Sequence, residues 1–183
     1  MLRSVLVTLA LAALAACGST THEIHPSSPF EQVHARFFDD AADFIREPIT
    51  LGGQWGSDWD EELRGRVGYA DTIAVVRIET LRTSIDVERR RTFHLVCTVD
   101  RLIRGELPDP ERLEVGVAEG TGGFETIARN ERRLVEGNYL LFVKWVDLGE
   151  EAGGEVVPRW HLSPASPRAM ADLNRMLTEA SEH

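Results

Sequence analysis

Six short apolar runs, separated by turn residues, limit the fold of this chain more than any other feature. β-branched and aromatic residues are frequent in these runs, which predict strands over 69–80, 93–103, 113–118, 124–129, 139–146 and 156–162. Gly, Pro and charged residues fill the segments between them, and no long helical pattern separates the strands. The pattern therefore favours an antiparallel sheet, closed into a small barrel or packed as a sandwich. We expect one mainly β domain over residues 67–163.

Helical patterns flank this region on both sides. The segment Ser28-Pro29-Phe30-Glu31 combines an N-cap, a proline at the first helical position and a glutamate that completes a capping box. Ser57 is placed to cap a second, short helix, and Ser166 with the proline after it begins a last one. We therefore expect a helical lead-in over 29–66 and a C-terminal helix over 164–183.

The N-terminus resembles the signal peptide and lipobox of bacterial lipoproteins. A single Arg precedes an apolar run from Val5 to Ala16, which is shorter than the roughly 20 residues that cross a bilayer. The run ends at Leu14-Ala15-Ala16-Cys17. The resemblance implies a signal peptide over 1–16, removed before Cys17, and a mature Cys17 that carries several acyl chains, enough for stable anchoring. A plain secretory signal cut after Ala16 is the alternative.

The resemblance also bears on location and partners. In such lipoproteins an Asp after the lipidated cysteine favours the inner membrane, and here that residue is Gly18. Outer-membrane attachment is therefore implied, with the domain facing the periplasm or, as the alternative, the cell surface. The polar residues 17–28 predict a flexible tether. The chain has a net charge of −10, which argues against nucleic acid as a partner.

The order of the predicted strands carries a second resemblance. The segments ADTIAVVRIETL, TFHLVCTVDRLIRGELP, LEVGV and LVEGNYLLFVKW follow one another as in the netrin-like or tissue-inhibitor-like branch of OB-fold barrels. This implies a small antiparallel OB-like barrel with flanking N-terminal and C-terminal helices. The animal members have disulfides that this chain lacks, and they inhibit metalloproteases through a free N-terminal cysteine that chelates zinc. A lipidated Cys17 is blocked, so that inhibition is not implied.

Residues with catalytic or metal-binding chemistry form no recognisable pattern. The chain has two cysteines, and if Cys17 is acylated, Cys97 is a free thiol. Cys97 lies in a strand-like apolar run, which favours a buried and unreactive side chain. His22 and His25 lack the further ligands of a metal site, and the motifs of the common hydrolases and phosphate-binding loops are absent. We expect no catalytic residue, no cofactor and no bound metal.

The function expected from these features is that of a lipid-anchored cell-envelope protein, a noncatalytic protein-binding or assembly component. The alternative is an envelope glycan-binding module, because exposed indoles stack on sugars. The possible ligand or partner contacts are Trp55, Trp59, Trp160 and His161. Of these, His161 ranks first among the polar residues. A hydrolase with an unfamiliar site would require a His or carboxylates converging in one deep pocket.

Overall fold

A computed structural model describes residues 22–44, 54–135 and 137–181. Its longer elements are listed here in chain order: β1 (Ala41–Ala42), α1 (Gln54–Tyr69), β2 (Thr72–Ile85), β3 (Arg91–Arg104), β4 (Arg112–Ala118), α2 (Phe124–Leu134), β5 (Asn138–Asp147), β6 (Val156–Pro164) and α3 (Pro167–Ser181). Two short 3-10 helices span Gln32–Arg36 and Glu150–Ala152. Among the described residues, none of the helices has the length and apolarity that crossing a bilayer requires.

The strands form one six-stranded sheet that curls into a half-barrel. Its order is β1-β6-β5-β2-β3-β4, and every pair is antiparallel except β1 with β6. The expectation of a mainly β domain with flanking helices is confirmed. The expectation of a wholly antiparallel sheet is wrong, because a piece of the lead-in adds to the free edge of β6 as β1. Ala41 and Ala42 pair there in parallel with His161 and Leu162.

Backbone pairing does not close the sheet within the described ranges. β1 and β4 are the ends of the strand order, and no ladder joins them. A side chain bridges part of the gap, since the indole N–H of Trp160 on β6 donates to the Gly116 carbonyl of β4 at 3.1 Å. α2 packs Phe124, Ile127 and Leu134 into the interior of the half-barrel. The apolar side of α2 and one indole thus cover the interior of the half-barrel where no further strand pairing encloses it.

Two elements differ from the sequence-based expectation. The predicted strand over 124–129 is the beginning of α2, in which Phe124, Ile127 and Leu134 recur at helical spacing on the buried side. Close packing explains the glycine before it: a Cβ at Gly123 would lie 2.0 Å from the Asp40 carbonyl oxygen.

The second difference lies in the lead-in. The helix predicted from Ser28 is only the 3-10 turn Gln32–Arg36, capped where the Glu31 N–H donates to His34 Nδ1 at 2.9 Å. The helical segment ends at Arg36, and Asp40, whose φ of 55° is the left-handed conformation, leads the chain into β1. The second predicted helix exists as α1, but it begins at Gln54, before Ser57.

Two apolar cores lie on the two faces of the sheet. The first fills the half-barrel and includes Cys97 and Trp160. The second packs α1 and α3 on the opposite face and includes Trp59, Leu63 and Leu173. The expected burial of Cys97 is confirmed. Burial raises the pKa of the Cys97 thiol to about 12, so the thiol stays protonated at neutral pH.

Candidate functional site

The contact residues expected from the sequence are mostly buried. Trp59, Trp160 and His161 are each at most 5% exposed, and Trp145 is buried as well. Trp55 belongs to the first turn of α1, and its side chain lies outside the described part of the chain, as does Cys17. The described indoles therefore present no open aromatic face to a sugar.

His161 belongs to a polar network that joins β1, β6 and α1. Its Nδ1 lies 2.7 Å from Asp39 Oδ1, and its Nε2 lies 3.5 Å from Asp43 Oδ2. Ser163 donates its hydroxyl to the same Asp43 oxygen at 2.7 Å, and the buried guanidinium of Arg66 lies 3.5 Å from it. These contacts hold the short parallel strand on β6. Each of these side chains has a polar partner, although His161 Nε2 and Arg66 Nε make no hydrogen bond, and we interpret the network as a structural clamp.

The charges of this network act on one another. Burial raises the pKa of Asp39, but the hydrogen bond and the charge of His161 outweigh it and hold that pKa below its ordinary value. Burial also lowers the pKa of Arg66, against the opposing influence of Asp43 and Glu62. A base needs a free proton-accepting atom, and the Asp39 carboxylate is already committed to His161.

A shallow cleft of about 410 Å³ lies beside the clamp. Its lining includes Phe30, Phe38, Asp39, Asp40 and Arg159. Burial raises the pKa of Asp40, although the ion pair with Arg159 opposes that shift. The two acids of the cleft are thus engaged by His161 and Arg159. The cleft holds no free charge among these residues that would select a ligand.

A second buried charge pair fixes the end of the predicted tether to the domain. Lys144 Nζ lies 2.8 Å from Asp71 Oδ1 and 3.0 Å from Ser28 Oγ. The N–H of His22 donates to the Pro108 carbonyl at 3.1 Å, and Ile24 packs on the first core. Residues 22–28 therefore lie against the domain, whereas the sequence suggested a flexible tether throughout. Ile24 and the serine hydroxyls supply the contacts.

The most exposed apolar side chains stand on a hairpin that we call the arm, residues 80–91. Ile85 is 66% exposed and Val87 is fully exposed. Hydrogen bonds hold the turn that contains Val87: the Asp86 N–H donates to the Arg90 carbonyl, and the Arg89 N–H donates to the Asp86 carbonyl, both at 3.0 Å. Arg89 takes the left-handed φ of 64° that such a three-residue hairpin loop needs. The sequence predicts a charged turn around Asp86 to Arg91 but not that both strands extend to it, although two branched apolar residues there are a visible signal.

A row of three polar side chains runs from Ser84 of the arm across the adjacent strands β3 and β4. Ser84 Oγ lies 2.8 Å from His94 Nε2, and His94 Nδ1 lies 3.1 Å from Glu114 Oε1. Ser84 and Glu114 are exposed, and His94 is about one third exposed. The atoms are paired as in a Ser-His-acid triad. The row stands on an open sheet face, with none of its residues in the cleft described above.

In ranges 22–44, 54–135 and 137–181, no group of three or more His, Cys, Asp or Glu side chains is arranged to hold a metal ion. Comparison with known proteins gives no match to a family model, to a curated protein or to a solved structure.

Proposed function

We propose that this chain is a lipid-anchored cell-envelope protein and a noncatalytic binding or assembly component, which contacts its partner protein through the arm. The observation that carries the proposal is the pair of exposed apolar residues, Ile85 and Val87, on an ordered turn. A partner that covers them removes apolar surface from water, and an ordered turn loses little conformational entropy when it binds.

The position of the tether supports this arrangement. In the proposal Cys17 is the lipidated residue, and the five steps from it to His22 span at most about 18 Å. His22 is bound to Pro108, in the turn that follows β3. The arm lies at the other end of β3, a strand of 14 residues that extends over roughly 40 Å. The anchor thus holds the Pro108 end near the bilayer and leaves the arm accessible to a partner away from it.

The strand connectivity supports an OB-like assignment as part of the same proposal. β2, β3 and β4 come first, then α2, then β5 and β6, and these five strands lie in the order β6-β5-β2-β3-β4. OB folds are five-stranded, partly open barrels, and the loop between their first two strands is one of their binding loops. In this chain that loop is the tip of the arm.

Crosslinking in intact cells of the native host tests the proposal. A photoreactive residue at position 88, beside Val87, should give a discrete protein adduct. We expect the double variant Ile85→Ser/Val87→Ser to reduce the adduct about tenfold or more, since it removes the apolar contact. Leu148→Ser is the matched control, because Leu148 is an exposed apolar residue on another loop. Cys17→Ala should move the protein out of the membrane fraction.

Two results would contradict the proposal. An unchanged adduct in the double variant excludes the arm as the binding surface, and membrane attachment of Cys17→Ala excludes the lipid anchor. Retention of envelope polysaccharide without a protein adduct would favour the glycan-binding alternative. That alternative is weakened by the burial of Trp59, Trp145 and Trp160.

A second candidate function, hydrolysis of an ester or amide, is favoured by the row Ser84–His94–Glu114. In active hydrolases such a row lies in an enclosed site that also holds hydrogen-bond donors for the developing oxyanion. In this chain the row stands on an exposed face. We therefore expect that a fluorophosphonate probe does not label Ser84 above the background seen with Ser84→Ala. Labelling that requires Ser84 and falls in His94→Ala would instead support the hydrolase.

A further inference from the structure

The outer side of β2 in the arm is an open strand edge. β2 pairs with β5 from Thr72 to Arg77, whereas its pairing with β3 continues to Ile85. From Thr80 onward, β2 has no second neighbour within the described residues. A bulge between Ile78 and Thr80 separates this stretch from the part that both neighbours cover.

Hydrogen bonding in the rest of the arm shows which backbone groups face outward. The Glu119 N–H donates to the Arg91 carbonyl at 2.8 Å, and the Arg91 N–H donates to the Glu119 carboxylate, so the main chain of Arg91 faces β4. Ile85 is opposite Arg91, and such a non-bonded antiparallel pair turns its backbone groups away from each other. By the same alternation Leu81, Thr83 and Ile85 direct their N–H and C=O groups to the open edge.

The open edge has few of the features that prevent strand addition in other proteins. Between Leu81 and Ile85 there is one charged residue, Arg82, and no proline. Thr83 and Ile85 are β-branched and fit an extended strand. Five residues with three outward-facing backbone pairs are enough to align an added strand.

The charges around this edge favour an acidic occupant. The residues from Glu79 to Arg91 include four arginines and three carboxylates, in a chain whose net charge is −10. Arg90 and Arg91 form ion pairs with neighbouring carboxylates. Arg82 and Arg89 have no ion pair in the described part of the protein. A second copy that paired through its own arm would bring like charges to this edge, because that arm carries the same arginines.

We infer that an extended segment of the partner protein, apolar opposite Ile85 and acidic near Arg82 and Arg89, adds as a strand to the outer edge of β2. Its main chain bonds to Leu81, Thr83 and Ile85. The inference rests on the proposed function, in which the arm is the binding surface. It adds the mode of binding and the chemistry of the bound segment.

The substitution Thr83→Pro tests the strand addition. Proline removes an N–H that faces the open edge and takes no part in the β2–β3 ladder, while Thr83→Ala keeps this donor and removes the side chain. With the photoreactive residue at position 88 in intact cells, Thr83→Pro should reduce the protein adduct at least tenfold. Thr83→Ala should stay within about twofold of the parent protein. Both purified variants should melt within a few degrees of it.

A synthetic peptide of alternating Glu and Val residues tests the chemistry of the segment on the full-length protein. It should protect the amide hydrogens of Thr83 and Ile85 from exchange. It should also bind at least tenfold more tightly than a counterpart in which Lys replaces each Glu and every Val is kept. Equal binding of the two peptides would overturn the acidic assignment. If Thr83→Pro does not fold, Ile85→Pro removes another outward N–H and is compared with Ile85→Ala, which removes the same side chain and keeps the donor.

The outcomes separate this inference from the proposed function. An adduct that persists in a folded Thr83→Pro protein, but is lost in Ile85→Ser/Val87→Ser, leaves the arm as a binding surface and overturns strand addition. Absence of any adduct in the parent protein contradicts the proposed function itself. An adduct with the mass of two copies of the chain overturns the choice of occupant.

Discussion

Replacing Lys144 by Met should lower the free energy of unfolding by about 3–5 kcal/mol, because it leaves the Asp71 carboxylate buried without its charged partner. The two side chains are only 1% and 6% exposed, and their charged atoms are 2.8 Å apart. Asp71 also accepts the backbone N–H of Trp145 at 2.8 Å. This bond keeps the carboxylate in place when the Lys144 amine is removed. Urea unfolding of the parent protein and the variant measures the difference.

Asp71→Asn is the matched variant for this pair. The asparagine still offers an oxygen to the backbone N–H of Trp145. The Lys144 charge loses its counterion, however, so we expect a similar destabilisation of about 3–5 kcal/mol. The double variant Lys144→Met/Asp71→Asn buries no charge at either position. It should therefore be more stable than the sum of the two single effects predicts. A Lys144→Met protein within about 1 kcal/mol of the parent would contradict the assignment of a buried, charged pair.

The strands that the sequence predicted well are those with the clearest alternation. β5 and β6 follow the apolar pattern to within a few residues, and β2 and β3 extend beyond it on both sides of the arm turn. The segment that became α2 was misassigned because a short apolar run fits both the strand and the helix period. A tertiary contact that the sequence pattern does not show accompanies the helix: Gly123, just before α2, lies against the Asp40 carbonyl, where a side chain would not fit.

The candidate site was harder to predict than the sheet, for a physical reason. Trp160 and His161 look like exposed contact residues only when their partners are unknown. Asp39 is 122 positions from His161 in the chain, and the acceptor of the Trp160 indole is 44 positions away. The exposure of Ile85 likewise follows from the pairing of β2 with β5 ending at Arg77. Local periodicity contains no information on pairings at such separations.

Replacing Trp160 by Ala should lower the free energy of unfolding by about 3–5 kcal/mol, the usual cost of truncating a fully buried indole. The ring is completely buried in the first core and spans the gap between β6 and β4. Its loss leaves a cavity where no ladder holds the two strands together. Urea unfolding of this variant tests the magnitude, and a loss below about 1 kcal/mol would show that the gap is held by other contacts.

Trp160→Phe separates the loss of the hydrogen bond to Gly116 from the effect of the cavity that Trp160→Ala leaves. It keeps most of the ring but leaves the Gly116 carbonyl without its donor, at a cost of about 1–3 kcal/mol. Trp145→Phe is the matched control, because that indole N–H donates to Thr72 Oγ1 at 2.9 Å and does not reach β4. Only Trp160→Phe should speed hydrogen exchange of the β4 amides. Equal exchange in the two variants would mean that α2, rather than the indole, holds β4 against the rest of the half-barrel.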